Sequence, residues 1–230
     1  MKIYYDLHIH SALSPCSSDD MTPNNIVNMA LLKELDIISV TDHNSAGNLE
    51  ATKNIASNKS ILLIPGIEVE SREGVHVLCY FKDFCTAKIF GDEIYQSLPN
   101  IKCSEIFGNQ NILNQKDEII DKLDKLLISS SKYTVYEIYN KVNEVGGAMI
   151  FAHIFRKSSG ILSVLGFLPD KMNIKTLEIN SNLVDYENYK ENYKIIHNSD
   201  AHELVAISEK TNYIELKKLN VESVIEYLWG

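Results

Sequence analysis

Short apolar runs alternate with helical patterns along the whole chain. Residues 3–9 (IYYDLHI), 36–41 (DIISVT), 61–69 (ILLIPGIEV), 75–81 (VHVLCYF), 148–153 (AMIFAH), 175–179 (KTLEI), 194–198 (KIIHN) and 211–215 (TNYIE) predict strands. Several are apolar almost throughout, as strands buried on both faces are. Helix signals lie between them. Thr22 followed by Pro23 is an N-cap and first-turn pair ahead of NNIVNMALLKEL, and Thr134 with Glu137 forms a capping box ahead of Val135, Ile138, Val142 and Val145. Gly146 and Gly147 supply the stop. Residues 82–130 are polar and weakly patterned, and predict an insertion holding short helices. Repeated alternation of strand and helix implies an α/β domain. Without a phosphate-loop glycine signature, a small closed barrel fits better than an open sheet. No repeat and no Pro/Gly/Ser-rich stretch divides the chain, so residues 1–230 read as one domain.

Composition narrows the class. The chain has 230 residues, 45% hydrophobic and 23% charged, which is ordinary for a globular protein with a sizeable core. Asp6 interrupts the first apolar run, and no later run approaches the ~18 residues of a membrane span, so a cytoplasmic protein is expected. Cys16, Cys79, Cys85 and Cys103 are irregularly spaced without a CxxC pair, which suggests reduced thiols and neither a zinc knuckle nor a disulfide framework. Net charge is -9, from 22 basic against 31 acidic residues. That balance predicts no non-specific nucleic-acid binding and no membrane partner, and leaves an anionic substrate in need of local positive charge. Divalent metal ions are an economical source of it.

The histidines carry the chemical signal. His8, His10, His43, His76, His153 and His202 all fall in or beside predicted strands. Any one of them is well explained as a satisfied core or surface side chain. Together they gather where β/α barrels carry their chemistry, at the carboxyl ends of strands. Strand parity places His8 and His10 on one face together with Asp6, and pairs Glu68 with Glu70. Asp200 and His202 repeat the two-residue spacing, whereas Asp42 and His43 point oppositely, making His43 the ligand candidate and Asp42 its orienter or a strand-end cap. Imidazole and carboxylate without thiolate suit zinc, manganese or iron. His197 faces opposite to Asp200 and reads as a packed side chain.

DLHIHS near the start, VTDHN, PGIEVE, HVL, the AH of residues 152–153 and SDAH at 199–202 occur in the order seen in the PHP (polymerase and histidinol phosphatase) family, which the chain resembles over nearly its whole length. The resemblance implies a distorted seven-stranded β/α barrel, two or three divalent metal ions and phosphoesterase chemistry of the stand-alone type. It implies one ion held by His8, His10, Glu68 and Asp200, a second shared through Glu68 with His76 and His153, and a third held by His43, His202 and an aspartate. Asp19 and Asp20 are the candidates for that aspartate, Asp20 being preferred for its distance from the MTP helix start. Two departures stand out: the loop ALSPCSSDD is long, and AHI replaces AHP at His153.

Three carboxylates against three divalent ions would leave an excess of positive charge suited to a phosphate. The mechanism this implies is in-line attack on phosphorus by a metal-bridging hydroxide, with Glu68, Asp200 and His202 as the catalytic group, acting on a small phosphorylated metabolite or nucleotide. The chain has two arginines, Arg72 and Arg156, each shortly after a proposed ligand. A guanidinium grips phosphate bidentately, so Arg156 is the preferred substrate contact and Arg72 the second. FGNQN at residues 107–111 is a candidate lid. The competing classes are an amidohydrolase-type metal hydrolase, which would use a carboxylated lysine as the bridge, and a non-catalytic metal-binding domain. Oligomeric state leaves no mark on the sequence.

Overall fold

The structure, a computed structural model, describes residues 1–180 and 186–230. The first half of the chain runs β1 (Lys2–Ile9), α1 (Pro23–Leu32), β2 (Ile37–Val40), α2 (Leu49–Ala56), β3 (Leu62–Leu63), β4 (Gly66–Glu70), β5 (His76–Tyr80) and α3 (Phe84–Ser97). The second continues with β6 (Asn111–Leu113), β7 (Ile119–Lys122), α4 (Val135–Glu144), β8 (Ala148–Phe151), α5 (Ile161–Val164), β9 (Thr176–Glu178), α6 (Glu187–Lys190), β10 (Lys194–Ile196), β11 (Tyr213–Glu215) and α7 (Val221–Trp229). Thr22 caps α1 by accepting from Asn25 N, and the Thr134–Glu137 capping box opens α4. No helix among the described residues is long and apolar enough to cross a membrane.

The fold is mixed α/β, but the expected closed seven-stranded barrel is not what the ladders form. One sheet runs β11-β1-β2-β3 and a second runs β10-β9-β8-β5-β4, with parallel and antiparallel pairs in both. Among the described residues no ladder joins the two sheets, and isolated bridges, His43 with Glu68 and Ile9 with Ala201, mark the seams. Pro65 explains the first seam. The run 61–69, expected as one strand, breaks into β3 in one sheet and β4 in the other, and the proline between them has no N–H to donate to a ladder. Gly66 then lets the sheets close up: a Cβ there would collide with Ser39 Oγ and come within 2.9 Å of Thr41 Cγ2.

Two apolar layers follow from strand alternation. Ile3, Tyr5, Leu7, Leu78, Tyr80, Ile150 and Ile196 pack between the sheets, with Val224, Ile225 and Leu228 of α7 covering one end. Ile38, Val40, Ile67, Val69, Val77, Phe151 and Leu177 face outward onto α1, α3 and α4. Each such buried aliphatic side chain contributes roughly 1.5–3 kcal/mol. Because Ile67 and Val69 face out, Glu68 faces in, and the same alternation turns His76 and Glu178 inward.

β1 breaks that rule where it matters. Its pairing with β2 runs Tyr5 to Ile37 and Asp6 to Ile38, then jumps to Ile9 with Val40, so one extra residue is inserted after Asp6. The bulge switches parity. His8 and His10 join the inner face of Ile3, Tyr5 and Leu7, and Asp6, expected beside them, lies outside that face. Its carboxylate instead accepts from Ser199 Oγ, Ser199 N at 3.1 Å and Ser208 N at 2.9 Å, which anchors the segment leading to Asp200.

The insertion is more ordered than its sequence pattern suggests. It contains the 14-residue α3, capped by Asp83, and the β6–β7 hairpin. Asn111 N donates to Ala12 O, and a Cβ on Gly108 (φ +103°) would strike Pro15 O. Residues 107–111 therefore pack against the loop after β1, where they act as a strut for that loop and not as a lid over the strand ends.

Candidate metal centre

At the end of the inner face away from α7, imidazoles and carboxylates replace aliphatic side chains. His8, His10 and Glu68 are fully buried there, and Asp200 is 8% exposed. Four donors meet. His8 Nε2 and His10 Nε2 lie 3.1 Å apart, both lie 3.1–3.2 Å from Asp200 Oδ1, and each lies 3.4 Å from an oxygen of Glu68. Ligands about 2.0–2.1 Å from a tetrahedral ion are separated by roughly 3.3 Å, so these spacings are those of a coordination shell.

Glu68 is the hub. Its Oε1 lies 2.9 Å from His76 Nδ1 and 3.1 Å from His153 Nε2, and its Oε2 lies 2.9 Å from His43 Nδ1. Ligand atoms of His43, Glu68 and His76 form one compact group, and those of His10, His43 and His202 another, each within 4.8 Å. Glu68 Oε2, His43 Nδ1 and His153 Nδ1 are buried without a properly aligned hydrogen-bond partner. Two of these orphaned atoms, Glu68 Oε2 and His43 Nδ1, face each other at 2.9 Å, an arrangement that fits a divalent cation.

Protons carry the positive charge when no cation does. Burial would raise the Glu68 carboxyl, but the charges of His76, His8 and His43 outweigh it and hold the group well below the carboxylate range. Asp200 is depressed likewise, with His8 and His10 overcoming burial. Burial works against a charged His8, yet Glu178, Asp200 and Glu68 push it well above the usual imidazole value. His43 is pushed up to about 10, against its burial, chiefly by Glu68. His10 and His153 move the other way, mainly because burial disfavours their charge.

Supporting side chains fix the rings. Ser14 Oγ contacts His10 Nδ1 at 3.0 Å and donates to Asp42 Oδ1, so Asp42 holds the serine that orients His10. Glu178, which no sequence motif flagged, takes His8 Nδ1 at 3.0 Å, His153 N at 2.8 Å and Asn198 Nδ2 at 2.7 Å. A buried glutamate in the short strand TLE was its only signal. His153 and Asp200 adopt positive φ, +28° and +53°, a cost that strained functional positions carry. Ile154 N donates to Glu178 O at 3.1 Å, a bond that proline in the usual AHP would lack.

Other expectations need correction. Asp19 is exposed and its carboxylate accepts from Asn109 and Asn111, while Asp20 is exposed and makes only backbone bonds to Ser18 and Asn25. Neither is among the candidate ligand groups. Successive turns, Ser14 N to Ser11 O and Ser17 N to Ser14 O, coil the loop so that Cys16 reaches His43 and His202 while the aspartates swing outward. Burial would raise the Cys16 thiol, but the neighbouring His202 and His43 bring it down to about 6. Arg72 is exposed beside Glu137, away from the donors. Arg156 is at the centre: its Nη2 donates to Asp200 Oδ2, and its side chain is 41% exposed. His197 lies outside the cluster, with Nδ1 2.7 Å from Ile179 O.

Cys16, His43, Glu70, His76, Arg156 and His202 line an open cleft of about 340 Å³ over the donors. A larger cavity of about 500 Å³, between α2, α3 and the β6–β7 hairpin, contains none of them.

Comparisons with known proteins give the fold a context. No protein-family model matches the chain. The uncharacterized protein MJ0043 of Methanocaldococcus jannaschii is 28% identical over 183 residues, 80% of this chain and 20% of that protein. The lesion-specific endonuclease PfuEndoQ of Pyrococcus furiosus superposes with a TM-score of 0.72 at 19% identity, over 100% of this chain and 56% of that one. An Endonuclease Q complex with a 27-mer duplex, an abasic lesion at its active site, gives 0.71 over 99% and 56%. A two-domain Bacteroides vulgatus protein containing a predicted PHP-like metal-dependent phosphoesterase gives 0.59 at 17% identity, over 99% of this chain and 62% of that one. The chain thus has the PHP-like fold and spans a fifth to about three fifths of these proteins. The expectation of a small phosphorylated partner with no non-specific nucleic-acid binding is overturned, because Endonuclease Q, which shares this fold over 56% of its chain, is seen in complex with a duplex that carries an abasic lesion. Net charge describes the whole surface, whereas a phosphodiester at a metal site responds to local charge.

Proposed function

We propose that this chain, as one PHP-like unit, hydrolyses phosphoric ester bonds at a divalent-metal centre, with a nucleic-acid phosphodiester as the first substrate class to assign. The observation that carries the reading is the compact group of His8, His10 and Asp200, spaced at 3.1–3.2 Å, with one Glu68 oxygen 3.4 Å from His8 and the other 3.4 Å from His10. The Endonuclease Q complex supports the substrate class. Divalent ions bound there would supply Lewis acidity and lower the pKa of water from 15.7 toward about 7. Zinc, manganese and iron all suit the nitrogen and oxygen donors.

The chain's own groups supply the rest. Glu68 faces both donor groups and is the natural bridge between ions. Asp200 has Oδ1 turned to His8 and His10 and Oδ2 to Arg156, so one carboxylate ties the substrate arginine to the centre. Arg156, half exposed over the cleft, is placed to exchange that contact for a phosphate oxygen. His202, also on the cleft, has Nδ1 held by Asp200 O at 2.8 Å, which leaves Nε2 for a ligand or a leaving-group proton.

The direct test is hydrolysis of a chromogenic phosphodiester and of abasic-site and 5′- or 3′-phosphorylated DNA with zinc, manganese or iron(II) added. Turnover that disappears with chelator and returns with metal is expected. A metal-loaded protein inert toward every phosphoester would overturn the reading. Arg156→Ala is expected to raise KM by about 10- to 100-fold, the equivalent of a charged hydrogen bond of ~1.5–3 kcal/mol, with kcat changed far less. Steady-state kinetics check this, and an unchanged KM would remove Arg156 from the substrate. Glu178→Gln is expected to weaken metal binding by about 10- to 100-fold, because His8 loses the partner that orients it. A chelator-competition titration measures that loss, and wild-type affinity would count against the orienting role.

A further inference from the structure

The loop after β1 delivers a sulfur atom to a pair of imidazoles. Its backbone is tied on both sides of Cys16: Ser14 Oγ accepts from His43 N at 3.1 Å, and Ser18 N donates to His202 O at 2.9 Å. The cysteine is thus strung between His43 and His202. All three side chains line the same cleft. His202 spends Nδ1 on Asp200 O, and His43 turns Nδ1 to Glu68 Oε2 at 2.9 Å, so Nε2 is the atom each ring has left for a further ligand. The rings of His202 and His43 stand 4.3 and 4.5 Å from that of His10, with ligand atoms of the three within 4.8 Å. The aspartates that could have completed this group lie on the outer side of the loop.

We propose that Cys16, as a thiolate, coordinates a divalent ion together with His43 and His202, giving this metal centre one sulfur ligand. The inference rests on the metal-centre reading above and adds the identity of a ligand to it. On binding, the S–H proton passes to solvent and the sulfur lone pair forms the bond to the ion. One thiolate and two imidazoles form a borderline-soft set, which favours zinc, iron(II) or cobalt(II) over manganese or magnesium. The same sulfur, open to the cleft, would make the position sensitive to oxidants.

The test is cobalt(II) substitution of the full chain and of Cys16→Ser, Asp19→Asn and Asp20→Asn, read by absorbance and by metal stoichiometry. The wild type and both aspartate variants should show a sulfur-to-cobalt charge-transfer band in the near ultraviolet. Cys16→Ser should lack the band and bind one equivalent fewer. Independently of any variant, bound zinc should protect Cys16 from alkylation, mapped by mass spectrometry, while exposed Cys85 reacts at an unchanged rate. Cobalt bound to the wild type without the band, or Cys16 alkylated equally fast with and without zinc, would overturn the sulfur ligand and leave the nitrogen and oxygen site standing. A wild type that binds no cobalt or zinc at all would overturn both.

Discussion

Glu68→Gln is expected to lose bound metal and turnover together, with kcat falling by about 1000-fold or more, some 4 kcal/mol of transition-state stabilisation. The substitution preserves shape and removes one negative charge from the point where five imidazoles converge. Glu68 oxygens face His8, His10, His43, His76 and His153 at 2.9–3.4 Å. A neutral amide takes away the central negative charge that would offset a bound cation, and its NH2 presents protons to imidazole lone pairs that should face metal. Folding should suffer less than metal binding, because buried imidazoles relieve an uncompensated charge by releasing protons. Metal content by elemental analysis, the melting temperature of the metal-free protein and kcat together form the check. Full metal content in a purified, folded Glu68→Gln protein would rule out the bridge.

Metal loading near pH 7 should release protons, and the stabilisation it brings should grow as pH rises. His8 and His43 have folded pKa values above the ordinary imidazole value of about 6.5. Their contribution to stability is complete below that value and is lost as pH climbs through the folded values, for His43 about 10. His10 and His153 are shifted down, and Glu68 and Asp200 are depressed, so their contributions are complete above their unfolded values and are lost as pH falls. For this cluster the metal-free protein is therefore most stable near pH 6.5. Above it, an ion replaces the departing protons and restores the missing charge. At 100 times its dissociation constant such an ion stabilises by about 2.7 kcal/mol. Melting with and without chelator at pH 6 and pH 9 measures the trend, and calorimetry in buffers of different ionisation enthalpy counts the protons. A metal-induced shift that is larger at pH 6 would mean that the cationic imidazoles are not the ligands.

Some of this site could be read before folding and some could not. His8, His10, His43, Glu68, His76, His153, Asp200 and His202 were all selectable because each lies in a predicted strand or in the loop beside one, and strands announce themselves through local apolar runs. The caps of α1 and α4 were equally visible, since Thr22, Thr134 and Glu137 act on backbone groups within three residues. Glu178 and Cys16 were missed for a common reason. Neither belongs to a local pattern, and each is brought to the donor cluster only by residues far away in the chain, such as His8 for Glu178 and His202 for Cys16.

The sequence by itself determined which segments become strands and helices and which donor types this protein has available, because side-chain periodicity and capping chemistry act over a few residues. Only the tertiary structure decided which donors meet. A bulge after Asp6 turned His8 and His10 inward and left Asp6 outside, Pro65 split one expected strand between two sheets, and a coiled loop brought Cys16 rather than Asp19 or Asp20 to the histidines. Register, sheet seams and loop path are set by contacts between residues far apart in the chain, and no local pattern encodes them.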